Sequence, residues 1–134
     1  MFYKISYSVP PNTSILSPNW QKLQIRKGRI KKFIIYTPLE AADLLRYRVE
    51  YHGMQLIPYS GKGWMYGIFS PTTFEVEYQI LEPPYVLDIY AYNDDDLYEH
   101  EYNIGVIMEE IKTEVKTSIP TPFIQRFRRI MGGA

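Results

Sequence analysis

The eight residues LRYRVEYH, 45–52, alternate without a break: Leu45, Tyr47, Val49 and Tyr51 are apolar or aromatic, while Arg46, Arg48, Glu50 and His52 are polar. Successive side chains of a strand point to opposite faces of its sheet, so the pattern specifies a strand buried on one face and solvated on the other. The same period recurs along the chain. In FYKISYSV, 2–9, Tyr3, Ile5, Tyr7 and Val9 oppose Lys4, Ser6 and Ser8, and in QKLQIRK, 21–27, Leu23 and Ile25 alternate with Lys22, Gln24 and Arg26. In TFEVEYQI, 73–80, Phe74, Val76, Tyr78 and Ile80 alternate with Glu75, Glu77 and Gln79. IKKFIIYTP, 30–38, runs apolar from Phe33 to Tyr36, which predicts a strand covered on both faces. Gly53 predicts a tight turn into MQLIP, 54–58. YVLDIYAY, 85–92, and YEHEYNIGVIM, 98–108, read as two arms of a hairpin around the acidic octet NDDDLYEH, 93–100.

These segments predict an all-β fold, an eight-stranded antiparallel β-sandwich of jelly-roll or immunoglobulin-like type, with a barrel as the other all-β solution. Thirteen tyrosines, six phenylalanines and two tryptophans fit such strands, and ten prolines and eight glycines fit the turns between them. Fifteen basic residues balance fifteen acidic ones, so the chain generates no overall basic field and nucleic acid is not an expected partner. With no cysteine there is no disulfide, thiolate metal site or cysteine nucleophile. No apolar run reaches membrane-spanning length and the first residues alternate rather than form an apolar signal segment, so a soluble, non-membrane protein is expected.

After Met108 the pattern changes, dividing the chain into a sandwich domain, 1–108, and a C-terminal extension, 109–134. Within the extension Phe123, Phe127, Ile130 and Met131 fall on one stripe at helical spacing, with Thr121 as N-cap, Pro122 as first helical residue and Gly132 and Gly133 as stop. A short amphipathic helix is therefore expected over about 122–131. So short a helix needs a surface for its apolar stripe, either its own sandwich or a neighbour; from Thr117 onward the extension carries Arg126, Arg128 and Arg129 and no acid, so an acidic protein surface would complement it.

The candidate chemical sites are few. The acidic octet lacks the alternating ligands and central glycine of a twelve-residue calcium loop, so it reads as a turn whose Asn93 and aspartates bond their own backbone. If it held calcium, Asp94 and Asp96 would be the ligands. His52 and His100 have no partner at metal-ligand spacing, no catalytic constellation is present, and neither an enzyme activity nor a cofactor is expected. YSGKGWMYG, 59–67, departs from a phosphate loop at Leu56 and Gly63 and reads as a mobile loop presenting Trp64 and Tyr66. Tyr59, Tyr90, Tyr92 and Tyr98 are further surface aromatics left over once inward positions are assigned.

The order of these features, a strand-rich body with GKGWMYG, 61–67, at its middle and then EPPYVLDIYAYNDDDLYEHEY, 82–102, resembles small β-sandwich virion proteins of tailed bacteriophages and related viruses. The resemblance covers residues 1 to 108. It implies a jelly-roll-like structural protein that assembles on a capsid or tail as a decoration, cement or connector protein, as a homo-oligomer bound to a viral coat or other virion protein. Its place would be the virion, and the host cytoplasm before assembly. In that setting Phe123, Phe127, Ile130 and Met131 would anchor the extension on a partner, and Arg126, Arg128 and Arg129 would orient it. The alternative expectation is a carbohydrate-binding sandwich, calcium-assisted, with Trp64 and Tyr66 at the sugar.

Overall fold

The computed structural model describes residues 1–38, 44–58, 63–66 and 70–111. Among these residues nine strands form two antiparallel sheets: β1 (Phe2–Val9), β2 (Asn19–Gln24), β3 (Gly28–Tyr36), β4 (Leu45–Tyr51), β5 (Met54–Ile57), β6 (Met65–Tyr66), β7 (Thr72–Ile80), β8 (Val86–Asn93) and β9 (His100–Glu109). Sheet A has the order β1-β9-β3-β7, and sheet B the order β2-β8-β4-β5 with β6 also paired to β4. The sheets face each other as a β-sandwich. Apart from the β4-β5-β6 run, every connection crosses from one sheet to the other, so most hydrogen-bonded neighbours are distant in sequence.

The inward rows are those that alternation predicts. Leu45, Tyr47 and Val49 of β4 and Leu87, Ile89 and Ala91 of β8 are fully buried, and from sheet A they meet Phe33 and Ile35 of β3 and Tyr102, Ile104 and Val106 of β9. Removing this apolar surface from water is the main favourable term of the fold. A tight turn links β4 to β5, with His52 and Gly53 both at positive φ and Tyr51 paired to Met54 across it. Two positive-φ residues match the twist that a two-residue hairpin needs.

Three expectations are corrected here. Among the described residues there are nine strands rather than eight, because Met65 and Tyr66, expected in a loop, pair with Tyr47 and Arg46. β5 covers β4 only from Val49 to Tyr51, so the start of the β4 edge is open to a second short strand. The expected hairpin of YVLDIYAY and YEHEYNIGVIM is an inter-sheet connection, since β8 lies in sheet B between β2 and β4 and β9 in sheet A between β1 and β3. β3 is central, and the described residues cover only one of its faces: Phe33 and Ile35 are buried, while Ile34 and Tyr36 point outward and Tyr36 is 40% exposed. The expected helix at 122–131 lies outside the described residues.

The core holds a line of tyrosine rings. Tyr102 lies 6.0 Å from Tyr47 across the sandwich and 6.2 Å from Tyr7 within its own sheet, centroid to centroid. The hydroxyls of Tyr47 and Tyr102 are buried and have no hydrogen-bond partner among the described residues. Burial pushes both phenols above the ordinary tyrosine range. A buried unpaired hydroxyl costs about 1–3 kcal/mol, so the rings carry the packing and the oxygens oppose it.

The variants Tyr47→Phe and Tyr102→Phe are therefore expected to be as stable as the parent or about 1 kcal/mol more stable near neutral pH, as measured by urea unfolding. The pH dependence follows from the raised phenols. The unfolded chain ionises its tyrosines above about pH 10 while the folded core keeps Tyr47 and Tyr102 neutral, so folding stability is full below that pH and falls as pH rises. The double variant should lose less stability than the parent between about pH 9 and pH 11.

Candidate functional site

The outward face of sheet B is built by the same alternation that builds the core. With Leu23, Val49 and Ile89 turned inward, Trp20 and Lys22 of β2, Arg46, Arg48 and Glu50 of β4, and Asp88, Tyr90 and Tyr92 of β8 are turned out. Register then sets them side by side: Trp20 pairs with Tyr90 and Tyr90 with Arg48, Lys22 with Asp88 and Asp88 with Glu50, Tyr92 with Arg46 and Arg46 with Tyr66. Three cross-strand rows result.

Contacts within and between these rows form a ladder of rings and cations, with the Arg46–Tyr66 pair set beside Tyr92 by register. Trp20 stacks on Tyr90 with centroids 6.4 Å apart and planes 12° from parallel, and the Lys22 ammonium lies 4.9 Å from the Trp20 ring. The Arg48 guanidinium sits 4.9 Å from the Tyr90 ring and 4.4 Å from the Trp64 ring. Trp64 meets Tyr92 edge-on at 4.8 Å, and Arg46 caps the Tyr66 ring at 4.2 Å. Each such cation–ring contact is worth about 0.5–1 kcal/mol where water has access. Acids hold two of the donors: Glu50 Oε2 accepts from Arg48 Nε at 2.7 Å and Asp88 Oδ1 accepts from Trp20 Nε1 at 2.9 Å. Partial burial, with the charges of Asp88 and Glu50 added at Tyr90, raises the phenols of Tyr90 and Tyr92. The face thus presents hydroxyls, flat rings and guanidinium groups held side by side on one sheet.

Trp64 and Tyr66 are thereby placed together, but not as a mobile rim. Trp64 is half-buried against Arg48 and Tyr92, and Tyr66 is a strand residue 63% exposed. Tyr90 and Tyr92 join them, whereas Tyr98 is exposed in the β8-β9 connection and Tyr59 lies outside the described residues. Trp20 was not singled out by the sequence reading, although its parity opposite Leu23 already puts it on the outer face. The extension residues Phe123, Phe127, Ile130, Met131, Arg126, Arg128 and Arg129 lie outside the described residues.

The acidic octet folds as a self-bonded turn at one end of the sandwich. Asn93 continues the inward row of β8 and is fully buried; its Nδ2 donates to the carbonyls of Val9 at 3.1 Å, Pro10 at 3.3 Å and Tyr98 at 3.0 Å. Its Oδ1 accepts from the Asp95 N–H at 2.9 Å. Asp95 in turn accepts from the Leu97 and Tyr98 N–H groups and, at 2.8 Å, is bonded to Nε2 of the buried His100. The Leu97 N–H, followed by the His100 bond, holds the Asp95 carboxyl below its ordinary range. Asp95 is thus committed to the turn. Asp94 and Asp96 are exposed and line a shallow depression with Asn12, Thr13, Ser14 and Ile15. Among the described residues no three His, Asp or Glu side chains converge where they could hold a metal ion.

The turn makes a clear prediction. Asn93→Ala leaves buried carbonyls unpaired and should cost about 2–3 kcal/mol in chemical denaturation, while Asp96→Ala should change stability by under about 0.5 kcal/mol. Because folding depresses the Asp95 carboxyl, its contribution is present above the ordinary carboxylate range and lost as pH falls through the folded value. Hydrogen exchange of the Leu97 and Tyr98 amides should accelerate in Asp95→Ala and, for the parent, on acidification relative to the exchange expected of free amides. The chain matches no known family model and no curated protein, and what its surfaces bind follows from their own chemistry.

Proposed function

We propose that this chain is a non-enzymatic structural protein that assembles on a viral particle, in a capsid decoration, cement or connector role, and that the outer face of sheet B is its docking surface for another virion protein. The observation that carries the docking part is the ring and cation ladder from Lys22 and Trp20 through Tyr90, Arg48, Trp64 and Tyr92 to Arg46 and Tyr66. Trp, Tyr and Arg are the residues that dominate protein–protein binding energy, and rings already fixed by cations lose little freedom when a partner covers them. The viral part rests on the order of sequence features across residues 1 to 108, which resembles small virion sandwiches. In this reading the domain works as a homo-oligomer at the particle surface, with no cofactor and no nucleic-acid contact.

A carbohydrate ligand is the competing reading, favoured by Trp20 and Tyr66, which are 50% and 63% exposed. Against it, Arg48 lies over both Trp64 and Tyr90, and Arg46 over Tyr66, on ring faces that a pyranose would need. A protein partner meets the same surface through ring edges, hydroxyls and guanidinium donors.

Co-sedimentation of purified protein with shells or tubes assembled from the coat protein of the same particle tests the proposal. Binding is expected, with Trp64→Ala and Arg48→Ala each weakening it by tenfold or more, the loss of about 1.4 kcal/mol typical of an interface anchor. Gln79→Ala on the outer face of sheet A should bind as the parent does. Absence of binding by the folded parent, together with retention on a glycan array, would overturn the virion reading in favour of the sugar one.

A further inference from the structure

Sheet A also presents an unusual outward face. Gly105 of β9 has no side chain, and the Phe2 ring lies over it, so that a Cβ at this position would stand 2.8 Å from Phe2 Cε1. Such an aromatic over a cross-strand glycine restores packing that the glycine removes. Around it, Ile34 and Tyr36 of β3 and Asn103 of β9 bound a depression of about 100 Å³, with Lys4 on its rim. Phe2 remains 57% and Tyr36 40% exposed, and Ile34 and Ile107 are only partly covered. An apolar patch at the centre of a sheet, rather than scattered apolar residues, marks a surface that something covers.

We propose that the patch around Gly105 seats the chain's own C-terminal segment, residues 122–131, with Phe123, Phe127 and Ile130 lying on Phe2, Ile34 and Tyr36. Three observations favour this occupant. The segment has an apolar stripe at helical spacing over about ten residues, too short to be a stable helix in water without a surface to lie on. The chain leaves sheet A at the end of β9, Glu109, and Gly105 lies four residues back along that strand, about 13 Å. The eleven residues 112–122 span up to about 36 Å when extended, so the segment reaches its own sheet. Tethering by so short a connection gives an effective concentration in the millimolar range, far above that of a second copy in dilute solution.

The absence of cysteine allows a direct test by paired cysteine substitutions in the full chain. Lys4→Cys marks the patch, Ile124→Cys marks the edge of the apolar stripe, and Lys22→Cys on the outer face of sheet B serves as the control. With a short bismaleimide at low protein concentration, Lys4→Cys with Ile124→Cys should form a link within one monomer at least ten times faster than Lys22→Cys with Ile124→Cys. Adding Phe127→Asp should abolish the difference. Links found only between two chains would overturn the proposal in favour of exchange with a second copy. Equal rates for the two pairs would overturn it in favour of a segment that does not use this face.

Discussion

A strand buried on one face cannot slip by one residue, and the rest of this molecule follows from that constraint. Moving β4 by one position would carry Leu45, Tyr47, Val49 and Tyr51 into water and force Arg46, Arg48 and Glu50 into the core, where unpaired charges are prohibitively costly. With β4 fixed, β8 and β2 are fixed against it, because Leu87, Ile89 and Leu23 must face the same interior. The outer rows of sheet B therefore inherit their alignment from the core. Arg48 stands beside Tyr90, and Tyr90 beside Trp20, because the buried residues next to them cannot be anywhere else.

The end of the sandwich near residue 93 shows how the inward rows are closed. Both inward rows run out in a polar residue, Asn93 on β8 and His100 on β9, and these two sit on opposite sheets at the same end. Asn93 gathers carbonyls from β1, from the segment after it and from the β8-β9 connection, while Asp95 spans from the turn amides to His100. One amide and one carboxylate thus satisfy backbone groups that the sheet ladders leave over, which buried structure requires. The carboxylate richness that suggests an ion site in the sequence is divided here between a structural residue, Asp95, and two exposed neighbours.

Local pattern made most strands legible, since period two is a property of each segment alone. Sheet membership was not, because it depends on pairings such as Phe2 with Ile107 that are separated by most of the chain. For this reason the residues around the acidic octet read as a hairpin when they join two sheets, and the apolar run of β3 read as doubly covered when its outer side lies beside Phe2. The two residues of β6 were beyond pattern reading altogether, being too short to display a period. The candidate face was half legible. Parity excluded Tyr90 and Tyr92 from the core, yet their meeting with Trp20, Arg46 and Arg48 is a consequence of register, and Trp20 went unmarked because it lies at the start of its strand after an irregular connection.

The two outer faces differ in a way that fits the two roles proposed for them. On sheet B nearly every ring has a cation over it or a second ring beside it, and the cations are themselves held by Glu50 or by the pairing of their strands, so the surface is already organised before any partner arrives. Such a face gains affinity chiefly because little remains to be ordered on binding. On sheet A the patch around Gly105 is apolar, shallow and centred on a backbone that lacks a side chain, so it offers area but few directional groups. Under the two proposals, area without direction suits a tethered occupant, for which the covalent connection supplies the specificity, whereas rings and guanidinium groups held in place would supply direction to a partner chosen from solution.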